Sequence, residues 1–382
     1  MSTTAGALVP DRKATITAAA AELFAAKGFA GAGIDEIGAR AGVSGPAIYR
    51  HFRGKDAVLL AVVMEAVDAF ELSVPESAST VEELASGPVS AALEHPERLV
   101  TYLRERHRLG GDALQELDLR ERQLFHPWRD AIRKRNPELQ PQEIPRRLRA
   151  LLAAMSVIAM QGDSVPRPDL DKLLVASTAA FMLVPPTEPK ARREPTGGWT
   201  IPPSRRELIL AAALRLFRER GYHGVSMDDI GEAVGVTGPT IYFHYKSKGD
   251  VLADAHERAS IRSAVAVDDA VRRAVSASDA LDRLARAQLT VAVDHADLVV
   301  VTSREVADVE ANDRERFERR AADIIRVWVA VVGELRPELT PAEVRTVVLG
   351  VFSVMNRIAY GLDEPGDGVA LVRSWALGSV DA

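Results

Sequence analysis

The chain contains itself twice, and this constrains its fold more than any other feature. Arg12 aligns with Arg205, an offset of 193, and the register runs without a gap to Leu59 and Leu252. Within it, "VSGPAIYRHF" at residues 43–52 answers to "VTGPTIYFHY" at 236–245. The match resumes at an offset of 200, pairing His95 with His295, Trp128 with Trp328, Pro137 with Pro337 and Met155 with Met355. The second copy has therefore gained seven residues between the two registers, 200 less 193. Two copies of about 180 residues are each of domain size and too few for a solenoid. The stretch between them is rich in Pro and Gly and has no helical period, so residues 185–203 read as a partly extended linker.

Within each copy the apolar residues recur at helical spacing. Ile16, Ala20, Leu23 and Phe24 form one stripe, repeated by Ile209, Ala213, Leu216 and Phe217. Gly28 and Gly221 follow as left-handed C-caps. A short second helix starts after Gly33 or Ser226, the serine being the better N-cap. Gly42 and Gly235 then break the chain. Ser44 and Thr237 cap a very short third helix, with Pro46 and Pro239 in its first turn, where a missing N–H costs nothing. Ile48 and Phe52, or Ile241 and Tyr245, point inward. Tyr49, Arg50 and Arg53, or Tyr242, Phe243 and Lys246, lie on the opposite face. Two short helices joined at a glycine, the second showing aromatic and basic side chains, make a helix-turn-helix. Lys55 and Lys248 enter a fourth helix, where a cation beside free helix N–H groups suits a phosphate. Each lysine then contributes about 1 to the salt slope of DNA binding.

Charge supports a polyanion partner. The chain carries a formal net charge of −6. Arg12–Lys55 nevertheless holds seven basic and three acidic residues, and Arg205–Lys248 seven and five, which leaves about −12 on the remainder. A basic segment on an acidic body suggests a face for nucleic acid, the alternative being a solvated surface. The absence of cysteine excludes disulfides, thiolate nucleophiles and Cys-ligated zinc, and fits a reducing cytoplasm. The richest apolar stretch, Leu289–Val301, is interrupted by Asp294, His295 and Asp297, so no membrane span is expected. The N-terminus lacks the pattern of a secretory signal.

Residues 23–55 and 216–248 together resemble the N-terminal DNA-binding domain of TetR-family transcriptional regulators, on the pattern "LF…KGF.G…I.EIG..AGVS.P.IYRHF..K". The resemblance implies an all-α chain of two tandem units. Helix-turn-helix domains fall at 1–57 and 204–250, and larger helical regulatory and dimerisation-like domains at 58–184 and 251–382. It further implies DNA contacts from Ser44, Gly45, Pro46, Ala47, Tyr49 and His51, with Arg50 on the same face. The second set is Thr237, Gly238, Pro239, Thr240, Tyr242 and His244, with Phe243. Tyr49 and Tyr242 read otherwise as packing, and His51 and His244 as complements to a helix C-terminus. Some members use a basic residue early in helix two for base contact, but Asp35 and Asp228 stand there, so that contact is not expected.

Beyond the heads, long Ala-, Leu- and Val-rich helices are expected near 56–72, 80–94, 96–109, 112–135, 142–162 and 168–184, with counterparts ending near 341–361 and 367–379. The wide apolar faces near Arg147–Ile158 and Val344–Ile358 suggest a bundle that also packs against another unit. The resemblance assigns these helices, with each copy's last, to a four-helix interface. By analogy a small apolar effector binds in the helical domains. Candidate lining residues are Tyr102, Phe125, Trp128 and Met155, and in the second copy Phe317, Trp328, Phe352 and Met355, the alternative being plain core. The remaining histidines, His256 among them, read as ordinary surface or core. No cofactor, metal spacing or catalytic set is apparent, so an enzyme is not expected. The expected partner is double-stranded operator DNA, bound by one chain as a pseudo-dimer or by a homodimer. An architectural DNA binder without an effector is the alternative function.

Overall fold

The computed structural model describes residues 11–161, 165–186, 203–236, 238–305, 308–359 and 368–379, and among them all regular structure is helical. Most of the expected linker, residues 187–202, lies outside that set. The chain divides into two compact units, residues 1–130 and 131–382. The second unit thus holds the last helices of the first copy together with the whole second copy.

The first unit begins with α1 (Arg12–Gly31), α2 (Ile34–Arg40), α3 (Gly45–Ile48) and α4 (Lys55–Ser73), followed by α5 (Val81–Glu94), α6 (Pro96–Glu105) and α7 (Gly111–Leu124). The expected stripe of α1 is buried throughout: Ile16, Ala20, Leu23 and Phe24. It packs on α4 and α6, and the buried Thr101 hydroxyl donates to the Ala21 carbonyl at 3.2 Å. Gly28 interrupts α1 at φ 71, ψ 167, and Gly221 sits at φ 74, ψ 158. These are not left-handed caps but the extended positive-φ region that only glycine enters freely.

The helix expected over 112–135 is two helices. After α7 the chain turns at Phe125 and restarts as α8 (His126–Arg135). Pro127 is the cause, since it has no N–H to give to the preceding turn. The second copy carries Val327 at that position, and α17 (Ala311–Leu335) runs unbroken for 25 residues.

The second unit comprises the rest of α8, then α9 (Glu143–Gln161), α10 (Arg167–Leu183), α11 (Arg205–Arg220), α12 (Met227–Ala233), α13 (Gly238–His244), α14 (Lys248–Arg272), α15 (Ala277–Asp294), α16 (Ala296–Arg304), α17, α18 (Pro341–Ile358) and α19 (Val369–Leu377). The added residues of the second copy sit where α14 and α15 meet. These helices have 25 and 18 residues, against 19 and 14 in α4 and α5.

Helix α9 packs along α18, and α10 along α19. Both pairs match equivalent helices of the two copies. Trp375 is fully buried, donates from Nε1 to the Val347 carbonyl at 3.1 Å, and makes a T-shaped contact with Phe181 at 6.4 Å. A Cβ at Gly350 would stand 2.5 Å from Trp375 Cζ2, so the glycine makes room for the indole. Arg147 is buried at 1% exposure and donates to the carbonyls of Phe181, Met182 and Val184. It satisfies the C-terminal carbonyls of α10 with a cation, as a helix end favours. Burial lowers its pKa to about 10 against the opposing pull of Glu143, so it remains charged at neutral pH.

Candidate nucleic-acid interface and effector cavity

In the first head, Gly42 at φ 68 ends α2, and Val43 N–H reaches back to the Gly38 carbonyl at 2.9 Å. Any Cβ on Gly38 would lie 2.9 Å from the backbone of both Val43 and Gly45. The turn is therefore pressed onto α2. Gly45 is buried, and a Cβ there would collide with the Asp35 carboxylate. Gly45 is where α2 and α3 touch. Ser44 occupies the N-cap position, exposed, without the side-chain cap bond expected of it. Pro46 is exposed and Ala47 half-buried. Ile48 and Phe52 turn inward as their spacing predicts. That leaves Tyr49, Arg50, His51 and Arg53 exposed on one short surface, Tyr49 at 59%.

The second head repeats this with better caps. Ser226 and Asp229 form a reciprocal capping box on α12. Gly235 at φ 65 makes the turn, and Val236 N–H returns to Gly231 at 2.9 Å. Ile241 and Tyr245 are buried, while Thr240, Tyr242, Phe243 and Lys246 are exposed and His244 is half-buried. Phe243 stands 86% exposed where the first copy has Arg50. Thr237 lies outside the described residues, as does the surface exposure of Gly238 and Pro239.

The two lysines at the starts of α4 and α14 have different surroundings. Lys248 Nζ donates to the Tyr222 and Val225 carbonyls at 2.6 and 2.8 Å and lies 4.2 Å from the Tyr222 ring centroid. Lys55 Nζ lies 4.4 Å from the Phe29 ring centroid, with the Arg108 guanidinium 5.6 Å from the same centroid. Burial lowers both pKa values. Lys55 thus meets the last turn of α1 beyond Gly28, and Lys248 ties the start of α14 to the turn after α11. For Lys248 the hydrogen bonds a phosphate would receive are largely spent on those carbonyls.

Comparing the copies exposes a network that neither copy alone suggests. The Tyr245 hydroxyl donates to Asp254 at 2.6 Å. Arg206 lies over the Tyr245 ring at 4.2 Å, donates to Asp254 at 3.0 Å and reaches the His244 carbonyl at 2.8 Å. Arg258 joins Asp254 and Glu207, each at 2.8 Å. Burial pushes Asp254 up, but bonds from Arg258 and Tyr245 outweigh it and hold the carboxyl below its ordinary value. The network fastens α11 and α14 to the end of α13. At the matching first-copy positions stand Lys13, Ala14, Phe52, Ala61 and Glu65, which cannot build it.

The second copy holds a partly open cavity of about 320 Å³ between α14, α15, α16, α17 and α18. Phe317, Phe352 and Met355 line it. Trp328 does not; it is buried behind the wall, edge-on to Phe352 at 5.5 Å. His256, expected to be an ordinary residue, also lines the cavity, stacked on Phe317 at 5.2 Å. Its lone place in the sequence gave no signal, because α14 and α17 bring the rings together only in the fold. Burial pushes its pKa down to about 4, so the imidazole is neutral at pH 7. Gln288 lines the same space. Of the first-copy candidates, Tyr102, Phe125 and Trp128 are buried in the first unit and Met155 in the second. The Tyr102 hydroxyl is taken by Glu121 at 2.6 Å.

Two helix-turn-helix heads carried on helical bodies define a tandem helix-turn-helix protein. The family described as bacterial regulatory proteins, tetR family, matches residues 16–62 and again residues 209–255. Two tandem segments of the chain thus match that family's model. Over 73 residues it is 38% identical to the HTH-type transcriptional activator FasR of Mycolicibacterium smegmatis, covering 19% of this chain and 33% of that protein. Over 52 residues it is 42% identical to the HTH-type transcriptional regulator AcrR of Shigella flexneri, covering 14% and 24%. The chain thus spans a third or less of the length of these relatives. Among solved structures it is similar to the TetR family transcriptional regulator PfmR from Thermus thermophilus, at 20% identity and a TM-score of 0.40, covering 46% of this chain and 94% of that one. Among the described residues no helix is long and apolar enough to cross a membrane, and no group of side chains could hold a metal ion.

Proposed function

We propose that the chain is a ligand-responsive transcriptional repressor that binds operator DNA through both heads. The observation that carries this is the repeated exposed face: Tyr49, Arg50 and Arg53 on one head, Tyr242, Phe243 and Lys246 on the other, each backed by a buried apolar pair. Arg suits guanine edges or phosphate, while Phe can only meet an apolar edge such as a thymine methyl. The operator is therefore an imperfect palindrome with unequal half-sites. The packing of α9 on α18 and α10 on α19 supports a pseudo-dimer within one chain, in which the equivalent helices of the two copies replace a subunit interface. An effector in the second-copy cavity shifts the population toward a form whose heads no longer fit successive major grooves, and DNA is released. Sequencing of protein-selected DNA, followed by gel shift with and without candidate effectors, tests the reading. An optimal site that is strictly symmetric contradicts the unequal heads, and a homodimer mass in light scattering contradicts the single-chain pseudo-dimer.

A further inference from the structure

The effector cavity carries more chemistry than its apolar walls. Gln288 Nε2 and His256 Nε2 are buried without a hydrogen-bond partner, in side chains 7% and 6% exposed. Both residues line the cavity. A buried donor left unpaired is costly, and native interiors avoid it unless something else satisfies it. Around them the walls are mainly hydrocarbon and aromatic, including Phe317, Ile324, Phe352 and Met355, with a few neutral polar side chains such as Thr302 and Asn356. The charged lining side chains are Arg314 and Glu318, one of each sign a helical turn apart. Arg314 also donates to the Val309 carbonyl at 2.7 Å. Neither an anion nor a cation would meet an excess of opposite charge.

We propose that this cavity takes a small, uncharged, mainly hydrocarbon ligand bearing one oxygen, a carbonyl or hydroxyl, held by the Gln288 amide and the His256 imidazole. The amide donates to that oxygen. The imidazole donates to a carbonyl from its Nε2–H tautomer, or accepts from a hydroxyl in the other. At roughly 30 Å³ per small group, the cavity holds about ten heavy atoms. The inference deepens the effector-site reading of this cavity, but it concerns binding alone.

The test is calorimetric titration of the full chain with 2-decanone, sodium decanoate and decylamine, which share a chain length and differ in charge. The ketone is expected to bind at least about tenfold tighter than either ion. Gln288→Met should weaken the ketone about fivefold while leaving thermal stability unchanged or raised, because it removes an unpaired donor. His256→Phe keeps the stacking on Phe317 and should weaken the ketone similarly. Decanoate or decylamine binding as tightly as the ketone, no binding by any probe, or an undiminished ketone affinity in both variants would each overturn the proposal. Operator release is read separately by gel shift. A ketone that binds without releasing DNA refutes the effector reading and leaves the ligand class standing.

Discussion

His256 makes the second copy sensitive to acid in a way that can be calculated. Its pKa falls from 6.5 to about 4 because burial opposes the charged ring. The unfolded chain therefore takes up a proton at higher pH than the folded chain does. The stability tied to the neutral ring is complete above about pH 6.5 and is lost as pH falls toward 4. With those two values the loss between pH 7 and pH 5 is about 2 kcal/mol, rising to about 3 kcal/mol once the folded ring also titrates. The side chain is 6% exposed, so solvent screens little of this. Arg314 and Glu318 share its cavity and oppose one another in charge. The assay is urea unfolding followed by tryptophan fluorescence at pH 7 and pH 5, in the wild-type chain and in His256→Phe. Other groups titrate in both proteins, so the difference between the two isolates this ring. Wild type should lose about 2 kcal/mol more than the variant over that interval. Parallel losses would refute the assignment of a buried, neutral imidazole.

Arg50→Ala should cost about 1–3 kcal/mol at one half-site and little at the other, as read by binding to operators mutated one half at a time. Equal losses at both halves would contradict the unequal heads. Lys248→Met should destabilise the chain by about 1–3 kcal/mol, because it unpairs the Tyr222 and Val225 carbonyls, while the salt slope of DNA binding stays unchanged. A slope lower by about 1 with unchanged melting would return this lysine to a phosphate. Gly350→Ala should cost about 1–3 kcal/mol in a melting experiment, since the new methyl meets the Trp375 indole; an unchanged melting temperature would mean the indole moves freely.

The heads were legible in the sequence because their determinants are local. A cap, a glycine turn and an inward pair separated by four residues lie within a dozen positions, and the repeat displays them twice. Boundaries of the long helices were legible too, except where Pro127 splits one copy and the other continues. What stayed hidden depends on distant residues meeting. Nothing at Lys248 announces the carbonyls of Tyr222 and Val225, more than twenty residues earlier. Nothing at His256 announces Phe317, and the aromatic positions proposed for the cavity mixed true lining with Trp328, which stands one layer behind it. The burial of Gly45 was hidden for a related reason: an exposed glycine and a buried one look alike until the opposing Asp35 is in place.

Differences between the copies carry information that one copy could not. Changing Phe52 to Tyr245 adds a hydroxyl, which is favourable inside a core only if something receives it. Changing Ala61 to Asp254 supplies the receiver, and Arg206 and Arg258 neutralise it. Each substitution is costly alone and acceptable with the others, so the set behaves as one feature. Asp254 lies on α14, two residues before His256, and Arg206 joins it to the end of α13 through the His244 carbonyl. The cavity and the head of the second copy thus share α14, in a form the first copy has no residues to build. On the proposed reading, a ligand that shifts α14 acts first on the head bearing Phe243.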